Sequence, residues 1–332
     1  MKTALVCGIT GQDGAYLSEL LLRDGYRVVG TSRDARAPDL SKLAFLGIQG
    51  EVEIRQMQPA DPSSVSNVIA DVRPNEIYAL SAQSSVGASF VAPVQTVESI
   101  VLGTLNLLEA VRTTGIDARI CHASSGDCFG DLSGAPARED TPFRPASPYG
   151  VAKAAAHALV INYRESYGIF AANAILFNHE SPLRGPQFVT RKIASSAARI
   201  SAGSGERLRL GRLDVVRDWG WAPETVDAMW RIARQPSASD FVIGTGKSYS
   251  LEVFVRNAFD YFGLDWQRYV EIDPSLVRAQ DPSWSGADPT MAEKVLGWRA
   301  RITMPNVVER LCAYEMNCLG ASPRQAWPGV SL

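Results

Sequence analysis

Lys2 to Cys7 is a short apolar run that ends in Gly8-Ile-Thr-Gly11-Gln-Asp-Gly14. The chain then passes directly into Ala15-Tyr-Leu-Ser-Glu-Leu-Leu-Leu-Arg23, which has helical periodicity and stops at Gly25. A buried strand, a glycine turn and a helix in that order constrain the fold more than any other stretch. Glycines let the backbone approach a pyrophosphate, and the helix N-terminus offers N–H groups and the positive end of its dipole. Gly8, Gly11 and Gly14 are therefore expected to hold a dinucleotide.

The downstream pattern extends that unit. Strands are expected at Arg27 to Ser32, Val52 to Met57, Glu76 to Leu80, Arg119 to Ala123 and Ala171 to Phe177. Helices are expected between them at Ser63 to Val72, Pro93 to Thr114 and Ser147 to Gly168. In the second of these, Leu102, Leu105, Leu108 and Val111 make an apolar side. Strands alternating with helices imply a doubly wound parallel sheet of Rossmann type, covered on both faces. Ligands of such sheets bind at the carboxyl ends of the strands, where the glycine loop, Ser84 and Ser125 fall.

Beyond residue 177 the pattern loosens into shorter pieces: helices at Thr190 to Gly203, Pro223 to Arg234, Leu251 to Phe262 and Pro305 to Met316, with a short strand at Arg207 to Leu210. The expected division is a cofactor-binding domain over 1–177, with later segments near 213–245 interleaved. A smaller α/β substrate lobe spans mainly 178–318, and a poorly ordered tail spans 319–332.

The end of the second strand, Thr31-Ser32-Arg33-Asp34 with Arg36 following, bears on which nicotinamide cofactor is held. Asp34 stands where a carboxylate would take the ribose hydroxyls of NAD, but Ser32 and Arg33 come first. The expectation is NADP, with NAD left open.

Tyr149 and Lys153 lie four apart at the start of a helix, on one face. An ammonium beside a phenol favours the phenolate, so Lys153 is expected to lower the Tyr149 pKa and ready it to take a proton from a sugar hydroxyl. Ser125, at the end of an apolar strand, is placed to hydrogen-bond the same hydroxyl. Asp127 adds a second acid/base group.

Composition narrows the partners. The 332 residues carry a net charge of -2 with no dense Lys/Arg run, so nucleic acid and anionic membrane are poor partners. No apolar run reads as a bilayer span. The five cysteines show neither a CxxC pair nor metal spacing, which fits free thiols in the cytoplasm and no metal. Cys128 is expected to be a packed, inert thiol facing away from Asp127, and Trp219 and Trp221 fit either pocket lining or core.

The words Gly8-Ile-Thr-Gly-Gln-Asp-Gly-Ala-Tyr16, Ala82-Gln-Ser-Ser-Val-Gly87, Ser147-Pro-Tyr-Gly-Val-Ala-Lys153, Leu176-Phe-Asn-His-Glu-Ser-Pro182, Val189-Thr-Arg-Lys192 and Arg217-Asp-Trp-Gly220 together resemble the extended short-chain dehydrogenase/reductases. Within them the chain is similar to the GDP-mannose 4,6-dehydratase family. The resemblance implies a redox-neutral lyase acting on a nucleotide sugar, GDP-mannose first, through a tightly held NADP in a homodimer or homotetramer. It implies cofactor contacts from Thr10, Gln12, Asp13, Arg33, Leu80, Ala82, His179 and Arg184 besides the glycines, Tyr149 and Lys153. It implies substrate contacts from Ser84, Asn178, Val189, Lys192, Arg217 and Arg278.

The chain also departs from the family. The family's Ser-Thr-Ser-Glu word reads Ser124-Ser125-Gly126-Asp127 here, which keeps the hydroxyl and the carboxylate but sets the latter about one methylene back. Gly-Asp-Met becomes Met57-Gln58-Pro59, Gly-Asn-Leu-Asp becomes Gly211-Arg212-Leu213-Asp214, and Arg-Pro-x-Glu-Val-Asp becomes Arg278-Ala-Gln-Asp-Pro-Ser283. These changes keep open a related epimerase or 4-keto reductase. A non-catalytic binder fits poorly with an intact Ser125, Tyr149 and Lys153.

Overall fold

A computed structural model describes residues 1–277 and 280–320. The first half runs β1 (Thr3–Cys7), α1 (Gln12–Arg23), β2 (Arg27–Ser32), α2 (Ser41–Phe45), β3 (Glu53–Gln56), α3 (Pro62–Val72), β4 (Glu76–Ala79), α4 (Val86–Val91), α5 (Pro93–Val97), a π-helical turn over Glu98–Leu102, α6 (Gly103–Thr114) and β5 (Arg119–Ser125). The second half runs α7 (Pro148–Tyr167), β6 (Ala171–Leu176), β7 (Asn178–Glu180), α8 (Val189–Ser201), β8 (Leu208–Leu210), β9 (Val216–Trp221), α9 (Ala222–Ala233), β10 (Phe241–Ile243), β11 (Ser248–Ser250), α10 (Leu251–Tyr261), β12 (Val270–Ile272), α11 (Thr290–Leu296) and α12 (Met304–Gly320).

Seven strands form one sheet in the order β10-β6-β5-β4-β1-β2-β3. Every pairing in it is parallel. The order reverses between β1 and β4, which opens a crevice at the carboxyl ends of the strands. On one face, Ala4, Val6, Tyr78 and Ala174 pack with Leu17 of α1 and Met229 of α9. On the other, Leu5, Ile77 and Ile120 pack with Ile69 of α3, Leu108 of α6 and Val160 of α7. This is the doubly wound α/β sheet that the alternation requires.

The later segments build a smaller body. A three-stranded sheet, β11-β9-β7, and a two-stranded pair, β12-β8, rest on a core of Ile193, Phe254, Phe259, Val307 and Leu311 from α8, α10 and α12, with Trp219 of β9. Strand β9 was not expected from the sequence: at six residues, with Arg217 and Asp218 in its first half, it has no alternating pattern. Trp219 and Trp221 are both buried in this core, and Trp219 also lines the cleft.

The expected long helix runs over Pro93–Thr114, with a π-helical turn in its course. A π-helical turn separates α5 from α6, beside Pro59, whose carbonyl accepts a hydrogen bond from Asn106 Nδ2 at 2.8 Å. The extra residue in that turn rotates the face, so Leu102 is exposed while Leu108 and Val111 are buried. Pro93–Thr114 also has the length and hydropathy of a membrane span, contrary to expectation. It is apolar on two sides, one packed on α3 and α7 and the other bare.

Candidate active site

Glycine is required in the turn after β1. A Cβ on Gly14 would meet Gly8 O at 2.5 Å and Ile9 Cα at 2.6 Å; one on Gly8, which has a φ of +88°, would meet Ser81 Cα at 2.9 Å. These are backbone atoms that cannot swing aside. No side chain caps the N-terminus of α1, whose first N–H groups are left to a ligand. The cradle therefore fits the pyrophosphate of a dinucleotide.

Around it the structure assigns separate tasks to the expected residues. Thr10 O accepts from Lys42 Nζ at 3.1 Å. Gln12 is buried, donating to His179 O at 3.2 Å and accepting from Ser181 Oγ at 2.7 Å. Asp13 lies 3.0 Å from His179 Nε2, and the other ring nitrogen of His179 faces Phe177 O at 2.7 Å. With an oxygen acceptor at each nitrogen, the ring is held as the imidazolium. Burial opposes that charge, but the Asp13 carboxylate outweighs it and raises the His179 pKa. Burial likewise works against the Asp13 carboxylate, yet the His179 charge and hydrogen bonds hold it at about 2. His179 thus turns away from Glu180, which accepts from Thr190 Oγ1 at 2.6 Å and stands 3.4 Å from Arg184.

At the end of β2, Arg33 is exposed and its carbonyl accepts from Gln58 Nε2 at 2.9 Å. Asp34 is occupied in its own turn, accepting from Arg36 N at 2.9 Å. Gln58, in the departed Met57-Gln58-Pro59 word, thus braces the Arg33 loop.

A cleft of about 860 Å³ opens at the carboxyl ends of β4, β5 and β6 and continues into the smaller body. It collects Asp13, Leu80, Ala82, Ser84, Ser125, Asp127, Tyr149, Lys153, Asn178, His179, Arg184, Val189, Lys192 and Arg217. Arg278 lies outside the described residues.

Strand β5 ends at Ser125, and Gly126–Cys128 forms a 3-10 turn. Ser125 Oγ accepts from Asp127 N at 3.2 Å and donates to Asp127 Oδ2 at 3.2 Å. The carboxylate is solvent-accessible, and it lies in the wall of the cleft. A Cβ at Gly126 would press on the Phe177 ring at 3.1 Å, and one at Gly150 on Asp127 O at 2.6 Å. The turn is therefore clamped between β6 and α7. Cys128 is fully buried and its thiol is pushed up to about 11 by burial, an inert group. Its direction comes from the 3-10 turn rather than from strand alternation.

Tyr149 and Lys153 share one face of α7, whose N-cap Ser147 accepts from Gly150 N at 3.0 Å. Lys153 Nζ donates to Ala123 O at 2.7 Å and stands 5.9 Å from the centre of the Tyr149 ring. The expected lowering of the Tyr149 pKa is not found. Burial drives it up, the Asp127 charge adds to this, and a Ser125 hydrogen bond offsets only part. The cost of desolvation falls on the lysine too, lowering it to about 8.

At the far end, Arg217 pairs with Asp281 at 2.8 Å and Lys192 Nζ donates to Arg209 O at 2.6 Å. The cleft includes residues that the sequence did not single out. Arg209 sits on β8 between buried leucines, and only alternation would have pointed to it. Phe188 stacks under Arg184, 3.7 Å from ring centre to guanidinium. Phe177 and Arg212, the latter from the changed Gly211-Arg212-Leu213-Asp214 word, also line the wall.

A seven-stranded parallel sheet with a glycine cradle at its switch point, and a serine, tyrosine and lysine beside it, defines an extended short-chain dehydrogenase/reductase. Solved structures share the fold. A UDP-glucose 4-epimerase of Thermotoga maritima, with UDP-glucose, superimposes with a TM-score of 0.85 at 22% identity, covering 96% of this chain and 99% of that one. A dTDP-glucose 4,6-dehydratase of Bacillus anthracis, in complex with NAD, gives 0.82 at 18% identity over 94% and 96%.

Sequence is more specific. Residues 5–311 match the family model for GDP-mannose 4,6 dehydratase. The chain is 40% identical to GDP-mannose 4,6 dehydratase 2 of Arabidopsis thaliana, over 93% of this chain and 86% of that one. It is 37% identical to the GDP-mannose 4,6 dehydratase of Homo sapiens, over 97% and 93%. The chain belongs to the GDP-mannose 4,6-dehydratase family.

Proposed function

We propose that this protein is a GDP-mannose 4,6-dehydratase, a carbon-oxygen lyase that converts GDP-mannose to GDP-4-keto-6-deoxymannose with NADP. The reading rests on one observation above the rest: a single cleft joins Ser125, Asp127, Tyr149 and Lys153 near one end to Lys192 and Arg217 at the other. The glycine cradle of Gly8, Gly11 and Gly14 would hold the pyrophosphate, with Thr10, Gln12, Asp13, Leu80, Ala82, His179 and Arg184 around it. Arg33 favours the 2′-phosphate of NADP, since Asp34 is spent on its turn. NADP supplies, when bound, the two-electron acceptor at sugar C4 and the donor at C6.

The chain's own groups move the protons. Tyr149 takes the proton of the C4 hydroxyl while Ser125 holds that oxygen. The C4 ketone acidifies the C5 proton, which Asp127 removes and hands to the departing C6 hydroxyl, so that water leaves; C5 is reprotonated from an exchangeable site once C6 has been reduced. Lys153, donating to Ala123 O, is fixed on the same face of α7 as Tyr149. Arg217 suits the substrate diphosphate. Ser84, Asn178, Val189 and Lys192 line the sugar-nucleotide path.

Residues 1–177, with segments near 213–245, make up the cofactor-binding part in this reading, and 178–318 the substrate lobe. The bare valines and leucine of α4 to α6, with Val151 on α7, support a homodimer or homotetramer. Buried free thiols suit the cytoplasm. The shortened carboxylate at Asp127 favours one alternative, an epimerase or 4-keto reductase. Redox balance separates the reductase: the dehydratase turns over GDP-mannose with no added reductant, and stoichiometric NADPH consumption would contradict the reading. An epimerase is equally redox-neutral and is separated by the product, which would keep its C6 hydroxyl.

A further inference from the structure

The sheet face beneath α7 packs Ile120 and Ala171 against Val160 and Tyr163, yet it also carries three buried polar side chains, His122, Ser124 and Asn173. They join one array. Ser124 Oγ lies 3.0 Å from His157 Nδ1, and His157 Nε2 lies 3.6 Å from Asp240 Oδ2. Asp240 accepts from Arg164 Nη1 at 2.8 Å and from Asn173 N at 2.8 Å. Asn173 Oδ1 faces His122 Nδ1 at 2.8 Å. Buried polar groups are costly unless every member is satisfied, and they specify one arrangement where apolar contacts would tolerate several.

The array sits under the catalytic segment. His157 is one helical repeat beyond Lys153 and two beyond Tyr149, and Ser124 is the neighbour of Ser125. We propose that His157 is a positioning residue: by accepting a hydrogen bond from Ser124 and donating toward Asp240, it fixes the rotation and axial position of α7 that set Tyr149 and Lys153 against the end of β5. Ala152 and Ala156, the small residues packed near it on α7, offer no comparable stop to sliding. Asp240 takes its charge partner from Arg164, so His157 serves as a neutral ring with its proton on Nε2.

The chain has three histidines, so each is assignable in a 15N-histidine-labelled sample of the whole protein from single variants. Long-range proton–nitrogen correlation at neutral pH should find His157 neutral, with Nδ1 bare. A protonated Nδ1 would overturn the inference, and this arm does not depend on the proposed activity. The kinetic arm rests on that activity. His157→Leu should lower kcat with GDP-mannose by about tenfold or more, as misplacements on the order of 1 Å do, with KM and bound NADP unchanged. His157→Asn, which keeps an acceptor near the Nδ1 position, should recover most of the loss. Ser124→Ala should reproduce the loss and carries this arm if the leucine variant does not fold. Wild-type kcat in the leucine or alanine variant would overturn the inference, whereas a wild-type protein inert toward GDP-mannose would instead overturn the proposed function.

Discussion

In the proposed mechanism Asp127 is the residue on which the elimination turns. Its carboxylate is tethered to Ser125 at 3.2 Å and sits on a turn clamped by Phe177 and α7. Asp127→Asn should leave cofactor binding intact and lower kcat on the order of 10²- to 10⁴-fold, the usual contribution of a positioned acid/base group. Full activity in that variant would remove Asp127 from the mechanism.

The pair of Asp13 and His179 makes a different prediction, about pH. His179 has a raised pKa in the fold, so its contribution to stability is complete below its ordinary 6.5 and is lost as pH rises through the raised value. Asp13, lowered to about 2 from 3.8, contributes above its ordinary value and loses that only as pH falls toward about 2. His179→Gln should therefore be less heat-stable than the wild type at about pH 5, with the gap closing in alkali. A gap constant from acid to alkali would contradict the ion pair.

At the scale of elements, the turn between β1 and α1 is the most constrained. Gly14→Ala would drive a methyl into Gly8 O and Ile9, costing about 1–3 kcal/mol and abolishing dinucleotide binding. Calorimetric titration with NADP checks this; wild-type affinity would show that the cradle can open. This unit was legible in the sequence because each of its parts follows a local rule: apolar strand, glycine turn, amphipathic helix. Six of the seven strands of the large sheet were legible for the same reason, to within a residue or two for β2, β4 and β6, while the three-residue edge strand β10 was not. The π-helical turn was not, since it lies against Pro59, which is distant in sequence. Strand β9 was not, because its hydrogen bonds come from β7 and β11 and its polar half has no periodicity. Tyr149 and Lys153 were legible as a pair by their spacing. The balance between burial and lysine charge was not, because it depends on how deeply α7 sits.

For the whole molecule, the sheet brings the glycine turn together with Ser125, Asp127, Tyr149 and Lys153, and the smaller body adds Arg217 and Lys192 to the same cleft. One surface remains unaccounted for within a single chain. Val91, Val94, Leu102 and Val151 are 86%, 68%, 40% and 52% exposed along neighbouring helices. A bare aliphatic ridge of this kind favours a second copy of the chain. Val151→Glu should shift the protein toward monomer in light scattering after gel filtration, and an unchanged mass would assign the ridge elsewhere.

The reaction itself offers the most direct measurement. The protein with NADP is incubated with GDP-mannose in deuterated water, with no reductant added, and the product is read by mass spectrometry and NMR. The account predicts a 4-keto-6-deoxy sugar nucleotide bearing deuterium at C5. Substrate consumed without deuterium at C5, or without loss of water, would contradict it.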